Sequence, residues 1–210
     1  MIDLYLIRHP EAKHNETPEI IGGRSNDSPV TPLGKKQYYS LRERLDKEGI
    51  IFDEVYSSPA VRTLCLASFF VMNDPQIIVD SDLQEIDQGE WTGRKRIEVY
   101  TPEIKMQMNA DSWNFKAPGG ESQNEVGQRG MKFINKYIID RYPKLDKDLT
   151  MGIFGHGLHF KCLLAEILNF NRDLTWRFTL ENTSITQLKY DGRWWPIRIN
   201  DAAHIYGLAT

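Results

Sequence analysis

The chain has 210 residues and a formal net charge of -3, with 40% apolar residues, ample for a packed core at this length. An acidic balance excludes a general affinity for nucleic acid, which needs a basic face. No run is long enough to span a membrane and the N-terminus has no basic-then-apolar leader, so a cytoplasmic, membrane-free protein is expected.

The run IDLYLI at 2–7 is short, apolar and rich in β-formers, and predicts a buried strand that stops at Arg8-His9-Pro10. TPLGKKQYYSLRERLDKEG at 31–49 opens on a Thr cap with Pro in the first turn and runs amphipathically to Gly49, which predicts a helix. FDEVYSS at 52–58 predicts a second strand, PAVRTLCLASFFVM at 59–72 a helix, and PQIIVD at 75–80 a third strand. From LQEIDQGEWTG at 83–93 to PGGES at 118–122 the chain is polar and rich in turn residues around one helical stretch, 94–109. This pattern reads as a lid-type excursion, at about 89–121, on a single domain covering 1–210. ESQNEVGQRGMKFINKYIIDRY at 121–142 predicts one long helix. LTMGIFG at 149–155 predicts a strand running into the helix HGLHFKCLLAEIL at 156–168. TSITQLKYDGRWWPIRIN at 183–200 predicts a hairpin about Asp191-Gly192. Alternating strands and helices predict an α/β fold: a three-layer sandwich with a mostly parallel central sheet, closed by an antiparallel edge hairpin. Cys65 and Cys162 lie in apolar helical patterns without metal-type spacing and read as small buried hydrophobes.

Open α/β sheets bind ligands beyond the carboxyl ends of their strands. The first strand delivers Arg8 and His9 there, with Asn15 six residues past His9. The second is followed by Arg62, the third by Glu85, and the fourth delivers His156 and Gly157. Two histidines, two arginines and a carboxylate at one rim suit phosphoryl transfer through an imidazole. Arginine forks match phosphate oxygens, a neutral imidazole is a nucleophile, and a carboxylic acid protonates the leaving oxygen. The cations around His9 keep it neutral, whereas bound phosphate favours charge on His156, so one neutral and one cationic histidine are expected. Glycines flanking His156 at a helix start allow an anion close approach.

Arg8-His9 with Asn15, GRSNDSPVTPLGKKQ, SSPAVRT, LQEIDQGEWTG, PGGES and GHG, taken in order over almost the whole chain, resemble the histidine phosphatase superfamily in its phosphoglycerate mutase-like branch. The resemblance implies a transient phosphohistidine on His9. It also implies a phosphate held by Arg8, Asn15, Arg62 and His156, and Glu85 as proton donor and later base. The variant EIDQGEWTG looks like the phosphatase form of its loop, so metal-independent hydrolysis of a small phosphorylated metabolite is expected, with no cofactor. A mutase, or a phosphate-binding module without turnover, are the alternatives. The chain departs from the family pattern at Pro10 (usually Gly), at Ala12 (usually Ser or Thr) and at Gly155 (commonly a small hydroxyl residue). Pro10 removes a backbone donor and the other two remove hydroxyls.

Asp82 and Asp87 are close rivals of Glu85. His14 reads as outer wall of the pocket and His159 as packed within its helix; neither has the partners of a metal site. Trp91 and Phe115 are candidate walls for the leaving group, and Lys13, Arg24 and Arg94 candidate contacts for an anionic tail. Oligomeric state is not legible in the sequence.

Overall fold

The computed structural model describes residues 1–71 and 76–208. Six strands form one sheet in the order β3-β2-β4-β1-β5-β6: β1 Ile2–Arg8, β2 Glu54–Ser57, β3 Ile77–Val79, β4 Leu149–Gly155, β5 Ile185–Tyr190 and β6 Trp194–Asp201. The first four are mutually parallel, with β1 in register on β4 from Ile2↔Leu149 to Arg8↔Gly155, and β5 and β6 close the edge antiparallel. This is the expected α/β sandwich. From Leu4 to Ile7 β1 is an unbroken apolar run because it is buried on both faces. Leu4 and Leu6 join the cluster with Phe133, Ile153 and Leu163, while Tyr5 and Ile7 join the opposite cluster with Leu41, Val55 and Leu66.

α1 (Pro32–Lys47) and α2 (Val61–Ser68) cover one face. Thr31 caps α1, its side chain accepting from Gly34 N at 3.0 Å, and Gly49 ends the turn at φ +68°, a conformation glycine adopts without strain. α5 (Gln123–Ile134) and α6 (Gly157–Leu168) cover the other face. Ser122 and Glu125 form a reciprocal capping box that starts α5.

Three expectations are corrected. The helical stretch 94–109 is two helices, α3 (Arg96–Val99) and α4 (Pro102–Ala110), because Pro102 cannot continue a helix and Thr101 caps a new one. The long helix 121–142 is α5 followed by a π-turn, Asn135–Ile139, and a short 3-10 turn. α2 is shorter than 59–72, and Met72, like Pro75 before the third strand, lies outside the described residues. The excursion has a small core of its own, in which Ile21, Trp91, Val99 and Ala117 are buried with Tyr100, Ile104 and Phe115 against them.

Candidate active site

A cavity of about 420 Å³ opens at the carboxyl ends of β1, β2 and β4 and is roofed by the excursion. Arg8, His9, Asn15, Arg62 and Glu85 line it. Three chain segments far apart in sequence therefore meet at the predicted rim, and the helix after β4 adds Leu158 and Lys161.

His9 is 2% exposed, and its backbone N–H donates to Gly155 O at 2.9 Å, so its position is an extension of the β1–β4 ladder. Its ring Nδ1 lies 2.7 Å from the carbonyl of Pro10. A carbonyl only accepts, so Nδ1 carries the proton and Nε2 keeps its lone pair. The departure at position 10 thus leaves the acceptor that fixes the tautomer in place. Burial, then the Arg62 and Arg8 charges, push His9 well below the ordinary imidazole value, with the Pro10 carbonyl opposing them only in part.

Arg62 is fully buried and aimed by backbone carbonyls: Nη1 donates to Ser25 O at 2.6 Å, and Nη2 to Arg24 O at 3.0 Å. Nη2 also lies 3.0 Å from His156 Nδ1, which must accept, and His156 Nε2 then donates to Ser58 Oγ at 2.8 Å. Burial and Arg8 bring Arg62 down to about 10, against an upward pull from Glu85, so it remains a cation at neutral pH. The side-chain Nε of Arg62 and that of Arg8 are buried without a hydrogen-bond partner.

The His156 ring is 5.3 Å from that of His9 and stands behind Arg62, outside the residues that line the cavity. Burial first, then Arg62 and His9, push it well below the ordinary imidazole value, so both histidines are neutral in this geometry. Gly157 lines an adjoining recess of about 270 Å³, where a Cβ would sit 3.3 Å from Arg8 Nε. Gly155 has a steric reason, since a Cβ there would lie 2.6 Å from Phe160 Cζ. The hydroxyl beside His156 comes from Ser58, whose Oγ lies 2.8 Å from Nε2.

Glu85 is the one carboxylate among the described residues lining the cavity. The backbone N–H groups of His159 (3.0 Å), Ile86 (2.9 Å) and Leu158 (3.2 Å) donate to it, two of them from the first turn of α6. Its rivals are engaged elsewhere: Asp82 pairs with Lys132 at 2.9 Å, and Asp87 accepts from Gly89 N at 2.8 Å. Asn15 accepts from Ala12 N at 3.0 Å and donates to His14 Nε2 at 3.2 Å, so His14 is pocket wall, as expected. Burial, then Arg62 and Arg8, lower His14 to about 4. His159 is buried within α6. Among the described residues no group of three His, Cys, Asp or Glu side chains is arranged to hold a metal ion.

Trp91 and Phe115 lie around a separate recess of about 30 Å³, not the main cavity. Lys13 pairs with Glu16, Arg24 faces Asp87 and Glu121, and Arg94 is exposed away from the lining. The cations on the cavity wall are instead Arg96 and Lys161, with Trp176 beside them. Lys161 left one signal, a cation in the mostly apolar GLHFKCLLAEIL, three residues after Leu158 on the same helix face.

A family profile described as the histidine phosphatase superfamily (branch 1) matches residues 4–202. The Probable phosphoglycerate mutase GpmB of Yersinia enterocolitica is 28% identical over 217 residues, covering 98% of this chain and 95% of the relative. The structure of YhfR from Bacillus stearothermophilus superposes with a TM-score of 0.80 at 28% identity, covering 98% of this chain and all (100%) of that one. A phosphoserine phosphatase from Entamoeba histolytica shares the fold with a TM-score of 0.81 at 22% identity, over 97% of this chain and 99% of that one.

Proposed function

The chain belongs to the histidine phosphatase superfamily, branch 1, and from that premise we propose that it hydrolyses a small phosphomonoester, without a metal, through a phosphohistidine on His9. The observation that carries this reading is the His9 tautomer: Nδ1–H tied to Pro10 O, with Nε2 unprotonated among buried guanidinium groups. The Nε2 lone pair forms the N–P bond as the bond from phosphorus to the leaving oxygen breaks, and Glu85 gives that oxygen its proton. Water then attacks phosphorus and yields a proton to Glu85, and the N–P electron pair returns to Nε2. Arg8, Arg62 and Asn15 hold the phosphate, and His156 orients Arg62. Positioning and charge do most of the work in such a transfer. The same reading takes 1–210 as one catalytic domain with 89–121 as its lid, in a cytoplasmic setting, with no nucleic-acid or membrane partner.

Quenching the enzyme within milliseconds of mixing with labelled substrate is expected to trap an acid-labile, base-stable phosphoprotein. His9→Ala should carry no label and lose turnover while keeping its fold by circular dichroism. Turnover surviving in His9→Ala would overturn the covalent route.

The names of the GpmB relatives favour a second reading, a phosphoglycerate mutase. Product analysis separates the two: a phosphatase releases inorganic phosphate from phosphoglycerate, and a mutase yields the positional isomer faster than phosphate.

A further inference from the structure

The tautomer that leaves His9 Nε2 unprotonated rests on one acceptor, the Pro10 carbonyl at 2.7 Å from Nδ1. That carbonyl belongs to the planar Pro10–Glu11 peptide unit, so its direction depends on what holds the other end of the unit, the Glu11 N–H. Glu11 N donates to Gln37 Oε1 at 2.8 Å. Gln37 belongs to the buried stripe of α1, with Gly34, Leu41 and Leu45. An amide in such a stripe costs free energy unless its polar groups are paired, and here the acceptor is matched to one loop N–H. α1 is seated directly on this segment: Glu11 O accepts from Thr31 N at 3.1 Å, and a Cβ on Gly34 would lie 2.1 Å from the same oxygen. The preceding peptide unit is held separately. Pro10 has no N–H, so that unit can be tied only through the His9 carbonyl, which accepts from Asn182 Nδ2 at 2.9 Å and from Thr183 N at 3.3 Å.

We propose that Gln37 is the positioning residue of the nucleophile: by holding the Glu11 N–H it aims the Pro10 carbonyl at Nδ1 and so keeps the lone pair on Nε2. This deepens the reading of His9 as the phosphoryl acceptor and rests on it. Gln37 does not line the cavity and acts only through the peptide unit between it and the ring. That unit accepts one hydrogen bond and donates another, and the two polarise each other in the same sense.

Nitrogen-15 NMR of histidine-labelled protein at pH 7.5 reads the tautomer without turnover, the His9 signals being identified by their loss in His9→Ala. In the parent protein Nδ1 should carry the proton and Nε2 should show the shift of a bare ring nitrogen. Gln37→Met keeps the length and removes the acceptor, whereas Gln37→Asn keeps an amide and withdraws it by one methylene. Each, shown to be folded by circular dichroism, should move part of the ring population to Nε2–H. Each should also slow the burst of phosphohistidine formation from nitrophenyl phosphate by on the order of 10- to 100-fold. The dissociation constant of inorganic phosphate should stay within about threefold, because Arg8, Arg62 and Asn15 are untouched. Gln37→Glu leaves an oxygen at the same reach and should restore the parent tautomer and most of the burst. A parent-like tautomer in Gln37→Met or Gln37→Asn overturns the proposal, and so does a tautomer disturbed equally in Gln37→Glu. If such a result comes from a protein that labels His9, the phosphatase reading stands without this role for Gln37. If the tautomer follows residue 37 but the parent never labels His9, the positioning stands and the phosphatase reading is what fails.

Discussion

Glu85 receives three backbone N–H groups, one of them its own neighbour's and two from the first turn of α6, so the helix that carries His156 at its cap also holds the carboxylate. The proposed proton donor and the proposed phosphate end of the cavity are therefore referenced to the same rigid element. General acid catalysis contributes about 10²–10⁴-fold, and its benefit depends on how badly the leaving oxygen needs a proton. An alkoxide leaves poorly, whereas nitrophenolate is stable near neutral pH. Glu85→Gln keeps the size and removes the transferable proton. Its burst of phosphohistidine formation should slow by about 10²-fold or more with an alkyl phosphate, and far less with nitrophenyl phosphate. Stopped-flow or quenched-flow measurement of the burst checks this, and equal slowing with both esters would reduce Glu85 to a binding residue.

At the scale of elements, the loop 82–87 is fastened to α5 by Arg129. Its guanidinium donates to Asp82 O (2.8 Å), to Glu85 O (3.2 Å) and to both oxygens of Glu121 (3.0 and 3.2 Å). Glu121 in turn accepts from Asp87 N at 2.9 Å and faces Arg24, whose carbonyl aims Arg62. Burial pushes the Glu121 carboxyl up, but Arg129, the Asp87 N–H and Arg24 more than offset it, so it lies below the usual carboxylate range. Arg129→Met should lower kcat by about 10–100-fold, the cost of misplacing a catalytic group by about an ångström, and leave the KM for nitrophenyl phosphate within about threefold. Arg129→Lys should recover part of the loss. A urea titration should show about 1–3 kcal/mol of lost stability from the half-buried carboxylate left without its partner. A KM rise equal to the fall in kcat would mean that Arg129 serves phosphate binding instead. None of this network was legible in the sequence, where Arg129 and Glu121 are two charges among many on a helix and its lead-in. The strand ends were legible, because an apolar run buried on both faces can stop only where the sheet stops, and Arg8-His9 and Gly155-His156 stand there. The split at Thr101-Pro102 carried the same cap-and-proline signal as Thr31-Pro32, but without an amphipathic stripe to frame it: α4 has no buried residue. Lys161, Arg96 and Trp176 come together only when the excursion folds over α6, a tertiary event without a local pattern.

Over the whole molecule, all five histidines are pushed below the ordinary value of 6.5, in each case with burial as the largest cause. Three of them, His9, His156 and His159, are essentially inaccessible. An imidazole whose folded value is depressed stays neutral in the native state, while the unfolded chain takes up its proton near pH 6.5. The unfolded state therefore binds more protons as pH falls below 6.5, and stability is lost progressively in that direction, before most carboxylates titrate. At pH 5.5 each such histidine costs on the order of 1 kcal/mol, so the three buried ones together cost a few kcal/mol, against a typical domain stability of about 5–15 kcal/mol. Urea midpoints measured from pH 8 to pH 5 should change little above pH 7 and fall steeply below 6.5, with a slope at pH 5.5 of roughly three protons from the buried histidines, raised toward five by His14 and His204, each lowered to about 4. His159 separates this linkage from the chemistry, since it does not line the cavity, and burial and Arg129 outweigh the opposing pull of the Asp82 backbone on its ring. His159→Phe should reduce the slope by about one proton and raise the midpoint at pH 5.5 relative to that at pH 7.5. Overpacking against Gly130, 3.3 Å from the ring in Cβ terms, would lower both midpoints together and leave the difference between them intact. An unchanged slope in His159→Phe would show that this imidazole is not held neutral by its burial, and a flat profile in the parent protein would show the same of all three.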